Sequence, residues 1–122
     1  MPLSTSSSAS AQLSLDDTDA TTLIANLSAA TGTAAREVKA RHFGGAIVFN
    51  NSNAQRVITF TLTDGSTAYI FTKVTVAVNA TATLSDADYG FDMGSTQYVT
   101  ATLDGTPSSG SVIVLGRTSN SF

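Results

Sequence analysis

The stretch ITFTLTDGSTAYIF, residues Ile58–Phe71, decides the fold class. Apolar residues alternate with threonine three times, an Asp-Gly pair follows, and a second apolar run returns. A period of two is the signature of a β-strand with one buried face, and glycine takes the positive φ of a hairpin turn at no steric cost. The stretch therefore predicts an antiparallel hairpin, with Ile58, Phe60 and Leu62 toward the core and the threonines on the opposite face.

The same period recurs along most of the chain. The predicted strands cover residues 21–25, 34–43, 46–50, 57–63, 67–71, 73–84, 98–103 and 111–115, and segment 73–84 fits either one strand or two. Segment 34–43 also fits a short helix, but Gly44-Gly45 follows at once and favours a strand. Turn signals spaced by roughly 8 to 12 residues are typical of a sandwich or barrel. We therefore predict an all-β fold: a single small antiparallel β-sandwich of about seven or eight short strands over residues 21–122, jelly-roll or immunoglobulin-like.

The inward-facing positions of these strands form the predicted core. They are Ile47, Phe49, Ile58, Phe60, Leu62, Ile70, Val74, Val76, Val78, Leu84, Val99, Leu103, Val112 and Val114. The alternation does not decide which face of the sheet Ile47 and Phe49 point to, because Val48 between them is also apolar. The threonines need no binding site to explain them, since their β-branch favours extended backbone and Thr pairs stabilise antiparallel strands. We interpret the threonine-rich face as the outer side of a scaffold.

Residues 1–20 have a different composition from the rest. They are rich in serine and alanine and contain no aromatic residue. Such a segment buries too little apolar area to offset the entropy of ordering it. We therefore predict an N-terminal extended arm over residues 1–20. It would bind a neighbouring subunit through its few apolar residues, which are Pro2, Leu3, Leu13 and Leu15.

Composition excludes several classes of protein. The 122 residues include no cysteine, which rules out disulfides and cysteine-type zinc sites. Only 12% of residues are charged, with a net charge of -3, so the basic stripe of a nucleic-acid binder is absent and we expect no nucleic acid. No apolar run approaches the ~20 residues of a membrane span, and no secretory signal opens the chain, so we expect no membrane and synthesis in the cytoplasm. A surface this neutral suggests coverage by other subunits.

Residues that could carry chemistry are few. His42 is the single histidine and no G-x-S-x-G motif is present, so we predict no catalytic residue and no enzyme. Asp86, Asp88 and Asp92 have the spacing D-x-D-x-x-x-D, which could supply three carboxylates to calcium. The glycine and closing glutamate of the helix-loop-helix site are missing, and aspartate is a common loop residue. We therefore predict no metal and no cofactor.

A short basic segment precedes the glycine pair. Arg36, Lys39 and Arg41 fall within six positions. They are candidate contacts to an acidic neighbour, and the alternative is a solvated strand edge.

Several segments in order resemble the small β-sandwich virion proteins of tailed bacteriophages. They are TTLIA, AIVFNNSNAQRVITFTLTDGSTAYIF, KVTVAVNATATL, FDMGSTQYVTATLDG and SVIVLGR, which together cover about residues 20–117. The resemblance is one of pattern: a strand ending in Asn, a Thr-rich hairpin, a glycine-marked turn and a short final strand. This chain departs from the group at residues 31–45, which are longer, and at Phe91–Ser95, which lack a Leu-x-x-Gly-Asp step.

The resemblance implies a structural virion protein. Such a protein binds the outer capsid surface as a cement or decoration protein and stabilises the head, often as a homotrimer. The implied partners are the major capsid protein or other virion proteins, and the implied location is the virion. One alternative is a collar, neck or tail component. Another is a carbohydrate-binding adhesive module, for which the stacking groups would be Tyr69, Tyr89, Phe91 and Tyr98.

Overall fold

The computed structural model describes residues 6–26 and 40–121, which form two antiparallel sheets. The elements are β1 (Ser6–Leu15), β2 (Thr21–Ile24), β3 (Ala40–Asn50), β4 (Arg56–Thr63), β5 (Ala68–Val76), β6 (Thr81–Leu84), α1 (Asp86–Tyr89), β7 (Phe91–Met93), β8 (Tyr98–Leu103) and β9 (Val112–Ser121). The first sheet has the order β1-β9-β3-β6, with β7 also paired to β3, and the second has the order β2-β8-β4-β5. The predicted small antiparallel β-sandwich is confirmed.

The core lies between the two sheets and matches most of the predicted residues. Ile58, Phe60, Val76, Leu84, Val99, Leu103, Val112 and Val114 are buried, and Leu62 and Val74 pack against them. Four phenylalanine rings also pack together, with neighbouring centroids 5.0 to 6.2 Å apart; these are Phe43, Phe60, Phe71 and Phe91. The predicted core residues that neither belong to this core nor pack against it are Ile47, Phe49, Ile70 and Val78.

The hairpin of β4 and β5 forms as predicted. Gly65 in its turn has a φ of 95°. The Asp64 side chain closes the turn, since its Oδ1 accepts hydrogen bonds from the backbone N–H groups of Ser66 (2.9 Å) and Thr67 (2.8 Å). The charged carboxylate accepts these bonds, so the pKa of Asp64 lies below its usual value, with the bond from Thr67 contributing more than the bond from Ser66.

The prediction for Ile47 and Phe49 is wrong, because β3 has the opposite phase. Val48 lies opposite Val114 of β9, and both are fully buried. The register between these strands shifts at the Gly44-Gly45 pair, where β3 has a bulge before it enters this part of the sheet. Ile47 and Phe49 therefore face outward and are only partly buried.

Ile70 and Val78 are exposed, contrary to prediction. The register of β4 and β5 skips Phe71, so that Ile70 pairs with Thr61 on the outer face. Phe71 instead packs against the core, and Ile70 is 59% exposed. Val78 lies in the turn after β5 and is 42% exposed.

The structure also corrects the predicted arm. Ser6–Leu15 form β1, which pairs with β9 along ten consecutive positions. Leu15 is only 2% exposed, and Leu13 packs against the core. The physical reason is that Ala11, Leu13 and Leu15 alternate with polar residues, so every second side chain is apolar despite the serine-rich composition. Residues 6–15 are therefore a strand of the sandwich.

Other boundaries differ in detail. The predicted strand 73–84 is divided by a turn into β5 and β6, and Asn79 in that turn has a φ of 59°. The last strand continues to Ser121 instead of ending at Leu115. Residues 34–39 of the predicted strand 34–43 lie outside the described residues, and the rest of that strand belongs to β3. The described part of the chain holds no helix with the length and hydropathy to cross a membrane.

Candidate protein-binding surface

The outer face of the first sheet carries four apolar side chains at its centre. Phe49 of β3 lies opposite Ile113 of β9, and Ile47 lies opposite Leu115. The residues between them on each strand are fully buried, so strand alternation turns these four side chains away from the core. Each is partly buried by its neighbours. We call Ile47, Phe49, Ile113 and Leu115 the apolar patch.

Small polar side chains border the apolar patch on both sides. Gln12 and Ser14 of β1 continue its two rows toward one edge of the sheet. Thr81 and Thr83 of β6 continue them toward the other edge. A partly exposed apolar cluster rimmed by polar residues is the usual pattern of a protein-protein contact. The four side chains that continue its rows carry no charge, so covering them would desolvate no ion.

The outer face of the second sheet has a different chemistry. Thr61 lies between Thr100 of β8 and Ile70 of β5, and Thr59 pairs with Thr102. Lys73 pairs with Thr59 at the β5 edge and is the charged residue of this row. The threonine face is the name we give to the outward side chains Thr59, Thr61, Thr63, Thr100 and Thr102. It is polar and nearly uncharged, which agrees with the scaffold interpretation.

A charged cluster lies on the same outer face as the apolar patch. The Nε2 atom of His42 is 2.7 Å from Asp86 Oδ1, and its Nδ1 atom is 2.8 Å from Asp92 Oδ1. His42 comes from β3, whereas the two aspartates come from α1 and β7. Hydrogen bonds that the imidazolium donates to Asp86 and Asp92 raise the pKa of His42 above its ordinary 6.5, against a smaller opposing effect of desolvation.

This geometry does not suit His42 for catalysis. A general base needs one ring nitrogen directed at the group whose proton it takes. Both ring nitrogens of His42 contact carboxylates. The arrangement therefore supports an ion-pair role for the single histidine, and the absence of enzymatic activity stays a prediction.

The three aspartates considered for calcium do not form a common cage. Asp86 and Asp92 are held by His42, while Asp88 bonds to Ser85: its N–H donates to Ser85 Oγ at 3.2 Å, and its Oδ2 accepts from the same hydroxyl at 3.1 Å. Among residues 6–26 and 40–121, no group of three or more acidic, histidine or cysteine side chains has the geometry of a metal site.

The predicted partner-binding residues have varied outcomes. Leu15 is buried in this chain's own core and Leu13 is partly buried against it, and their contact with a neighbour stays a prediction. Pro2, Leu3, Arg36 and Lys39 lie outside the described residues. The Nε atom of Arg41 donates to Asn120 Oδ1 at 2.9 Å, and its Nη1 atom donates to the Ala25 carbonyl at 2.6 Å. Arg41 therefore links β3 to β9 and to the end of β2, and its contact with a partner stays a prediction.

The four aromatic side chains considered for carbohydrate binding do not share a stacking platform. Tyr89 and Phe91 pack against the core. Tyr98 pairs with Thr63 and lines an open depression of about 320 Å³ beside β2. Tyr69 lies on β5 and is 59% exposed. The register pairs Thr63 with the residue before Tyr69, so Tyr98 and Tyr69 point to opposite faces of the second sheet.

Sequence reasoning missed Ile113 and Leu115 as surface residues and assigned Ile47 and Phe49 to the core. A usable signal was present, because AIVF at 46–49 and VIVL at 112–115 are uninterrupted apolar runs. A strand with one wet face alternates, whereas a strand covered on both faces is apolar throughout.

Comparison with known proteins supports the fold. No family model matches this chain, and no curated protein matches it in sequence. This chain is similar in structure to the Drosophila NLP core, with a TM-score of 0.56. The structure of that protein is described as giving insight into its pentamer formation and histone binding. The match covers 95% of this chain and 98% of that chain at 11% sequence identity. At this identity the likeness shows a shared fold alone.

Proposed function

We propose that this chain is a structural virion protein of a tailed bacteriophage that binds the outer capsid surface as a cement or decoration protein and stabilises the head. The observation that carries the proposal is the apolar patch on the outer face of the first sheet. Segments 46–49 of β3 and 112–115 of β9 have the composition of strands covered on both faces, yet the sandwich core covers one face of each. A partner subunit supplies the second cover.

The energetics favour the apolar patch over the threonine face as the contact. Apolar area removed from water contributes about 25 cal/mol per Å². Covering threonine hydroxyls contributes less, because each hydroxyl must regain a hydrogen bond that it made to water. We therefore assign the capsid contact to the apolar patch.

We include a homo-oligomer in the proposal. The resemblance of the sequence pattern to phage virion proteins implies a trimer. Pentamer formation and histone binding are described for the NLP core. At 11% identity that likeness concerns the fold, so the proposed homo-oligomer rests on the sequence resemblance. Sedimentation equilibrium measures the number of copies directly.

The test is binding to capsids prepared without this chain. Leu115→Lys places a charge in the apolar patch while the lysine stem keeps much of the apolar packing. Thr61→Lys places the same charge on the threonine face and is the matched control. We expect the wild type and Thr61→Lys to co-sediment with capsids and to raise their rupture temperature, and Leu115→Lys to do neither.

Three results would contradict the proposal. Wild-type protein that does not bind capsids excludes a cement function. Equal binding by both variants excludes the apolar patch as the contact. Binding restricted to the collar or tail, or binding to a glycan array but not to capsids, supports the corresponding alternative instead.

A further inference from the structure

The single histidine links three elements through both of its ring nitrogens. His42 lies on β3, Asp86 begins α1, and Asp92 is the middle residue of β7. A neutral imidazole has one N–H group and one lone pair, so only one of the two carboxylate contacts can be a hydrogen bond. The observed distances of 2.7 and 2.8 Å on the two nitrogens therefore fit the imidazolium form, in which both nitrogens donate.

Residues 85–93, which these contacts hold, have a few other attachments. Ser85 caps α1, and the N–H of Gly90 donates to the Asp86 carbonyl at 2.8 Å. No residue of α1 is buried, but Tyr89 packs against the core, and Met93 of β7 is buried. β7 pairs with β3 at only three positions. Below β7, the ring of Phe91 lies 5.3 Å from that of Phe43 and 5.0 Å from that of Phe71. Residues 85–93 therefore cover part of the phenylalanine cluster.

Among the described residues, the charged and polar groups near His42 lie on β7, α1 and β9. β7 contributes Asp92 and α1 contributes Asp86, with Asp88 of the same turn bonded to Ser85. β9 places uncharged Ser119 opposite His42, and the exposed Arg117 is two positions further along the same face.

Among residues 6–26 and 40–121, the remaining neighbours supply no other cation to the pair of aspartates. On β3 itself, Arg41 is bound to Asn120 and Ala25, and β6 carries no charged residue. Within this described part of the chain, the imidazolium alone joins the two carboxylates, and without its charge they repel one another.

We propose that His42 is a protonation-controlled latch on residues 85–93: the imidazolium binds Asp86 and Asp92 together, and the neutral ring releases one of them. Asp92 is released first, because its side chain is 90% exposed compared with 62% for Asp86 and so regains water more completely. Release loosens β7 from β3 above the phenylalanine cluster.

The direction of the pH effect follows from the two aspartates. They raise the pKa of His42 in the folded state above its ordinary 6.5. The latch is therefore fully closed below that ordinary value and opens as the pH rises through the higher folded-state value.

Because the chain has one histidine, its imidazole signals in an NMR titration are unambiguous. We expect the native protein to titrate above 6.5, with a lower midpoint in Asp86→Asn and in Asp92→Asn and an ordinary midpoint in the double variant. Amide exchange, corrected for its intrinsic pH dependence, should show protection at residues 91–93 falling through the same midpoint.

The hairpin amides of β4 and β5 are the internal control and should keep their protection. A native midpoint at the ordinary value would overturn the latch without any variant. Unchanged protection of residues 91–93 across the titration would also overturn it. Neither measurement uses a capsid, so the result is independent of the proposed function.

Discussion

Asn50 shows how much a single polar side chain contributes to this sandwich. It is fully buried at the end of β3. Its Nδ2 donates to the carbonyls of Ala54 and Val76, both at 2.9 Å, and its Oδ1 accepts from the N–H (3.0 Å) and the Oγ (2.7 Å) of Ser52. One side chain thus ties the β3–β4 loop to the end of β5. The sequence pattern shows that the strand ends in Asn but not that the side chain turns inward.

Replacing Asn50 by alanine should therefore destabilise the fold strongly. Asn50→Ala removes the side-chain partner of two buried backbone groups, the Ser52 N–H and the Val76 carbonyl, at about 1 to 3 kcal/mol for each. We expect a loss of roughly 2 to 4 kcal/mol in the free energy of unfolding. Asn53→Ala, in the same loop but exposed, is the control and should cost about 1 kcal/mol or less. Urea unfolding measures both, and equal losses would contradict this role of Asn50.

Asp64 should give the hairpin a pH-dependent contribution. Its pKa is lowered by the bonds from Thr67 and Ser66, so its stabilising effect is present above the ordinary 3.8 and is lost as the pH falls through the lower folded-state value. The difference in melting temperature between wild type and Asp64→Asn should shrink as the solution is acidified. A difference that is constant from neutral pH to about pH 2 would contradict the assigned cause.

At the scale of elements, the stability of the isolated chain tests whether β1 is a strand of the sandwich or an assembly arm. Leu15→Ala removes a side chain that is 2% exposed, and burial of this kind is worth roughly 2 to 5 kcal/mol. Gln12→Ala, exposed on the same strand, should change stability by about 0.5 kcal/mol or less. The two can be compared by chemical denaturation of the isolated chain. A Leu15→Ala variant as stable as the wild type would mean that residues 6–15 do not belong to the core.

The bulge in β3 gives a second test at this scale. Gly45 has a φ of 98°, and a Cβ there would overlap the carbonyl oxygen of Leu84. Gly45→Ala should therefore destabilise the fold by about 1 to 3 kcal/mol. Gly44→Ala meets the Arg117 carbonyl at 3.4 Å with no positive φ, and it should cost less. Thermal unfolding of the two variants decides whether the bulge is fixed by Gly45.

The elements also show which features the sequence could predict. The hairpin of β4 and β5 follows from clean alternation around an Asp-Gly turn. The phase of β3 does not, because three consecutive apolar residues allow either side to face inward. The serine-rich composition of residues 6–15 led to the prediction of an arm, although their alternation of apolar and polar residues indicates a strand. The contact between His42 and two aspartates joins residues 44 and 50 positions apart, and no local pattern encodes such a contact.

At the scale of the whole molecule, the two outer faces differ in what they offer a partner. The apolar patch lies across the two strands β3 and β9, and its rows end in neutral side chains. The threonine face is polar, with Lys73 at its edge. A partly exposed apolar patch with neutral side chains at the ends of its rows is the pattern of a protein-protein contact, and the proposed capsid contact would cover it.

The most direct test is electron cryomicroscopy of capsids reconstituted with this chain. The account predicts an ordered copy on the outer capsid surface, with Ile47, Phe49, Ile113 and Leu115 covered by a neighbouring subunit and Thr61 facing solvent. Reconstituted particles with no density for the chain, or with those four side chains facing solvent, would contradict it.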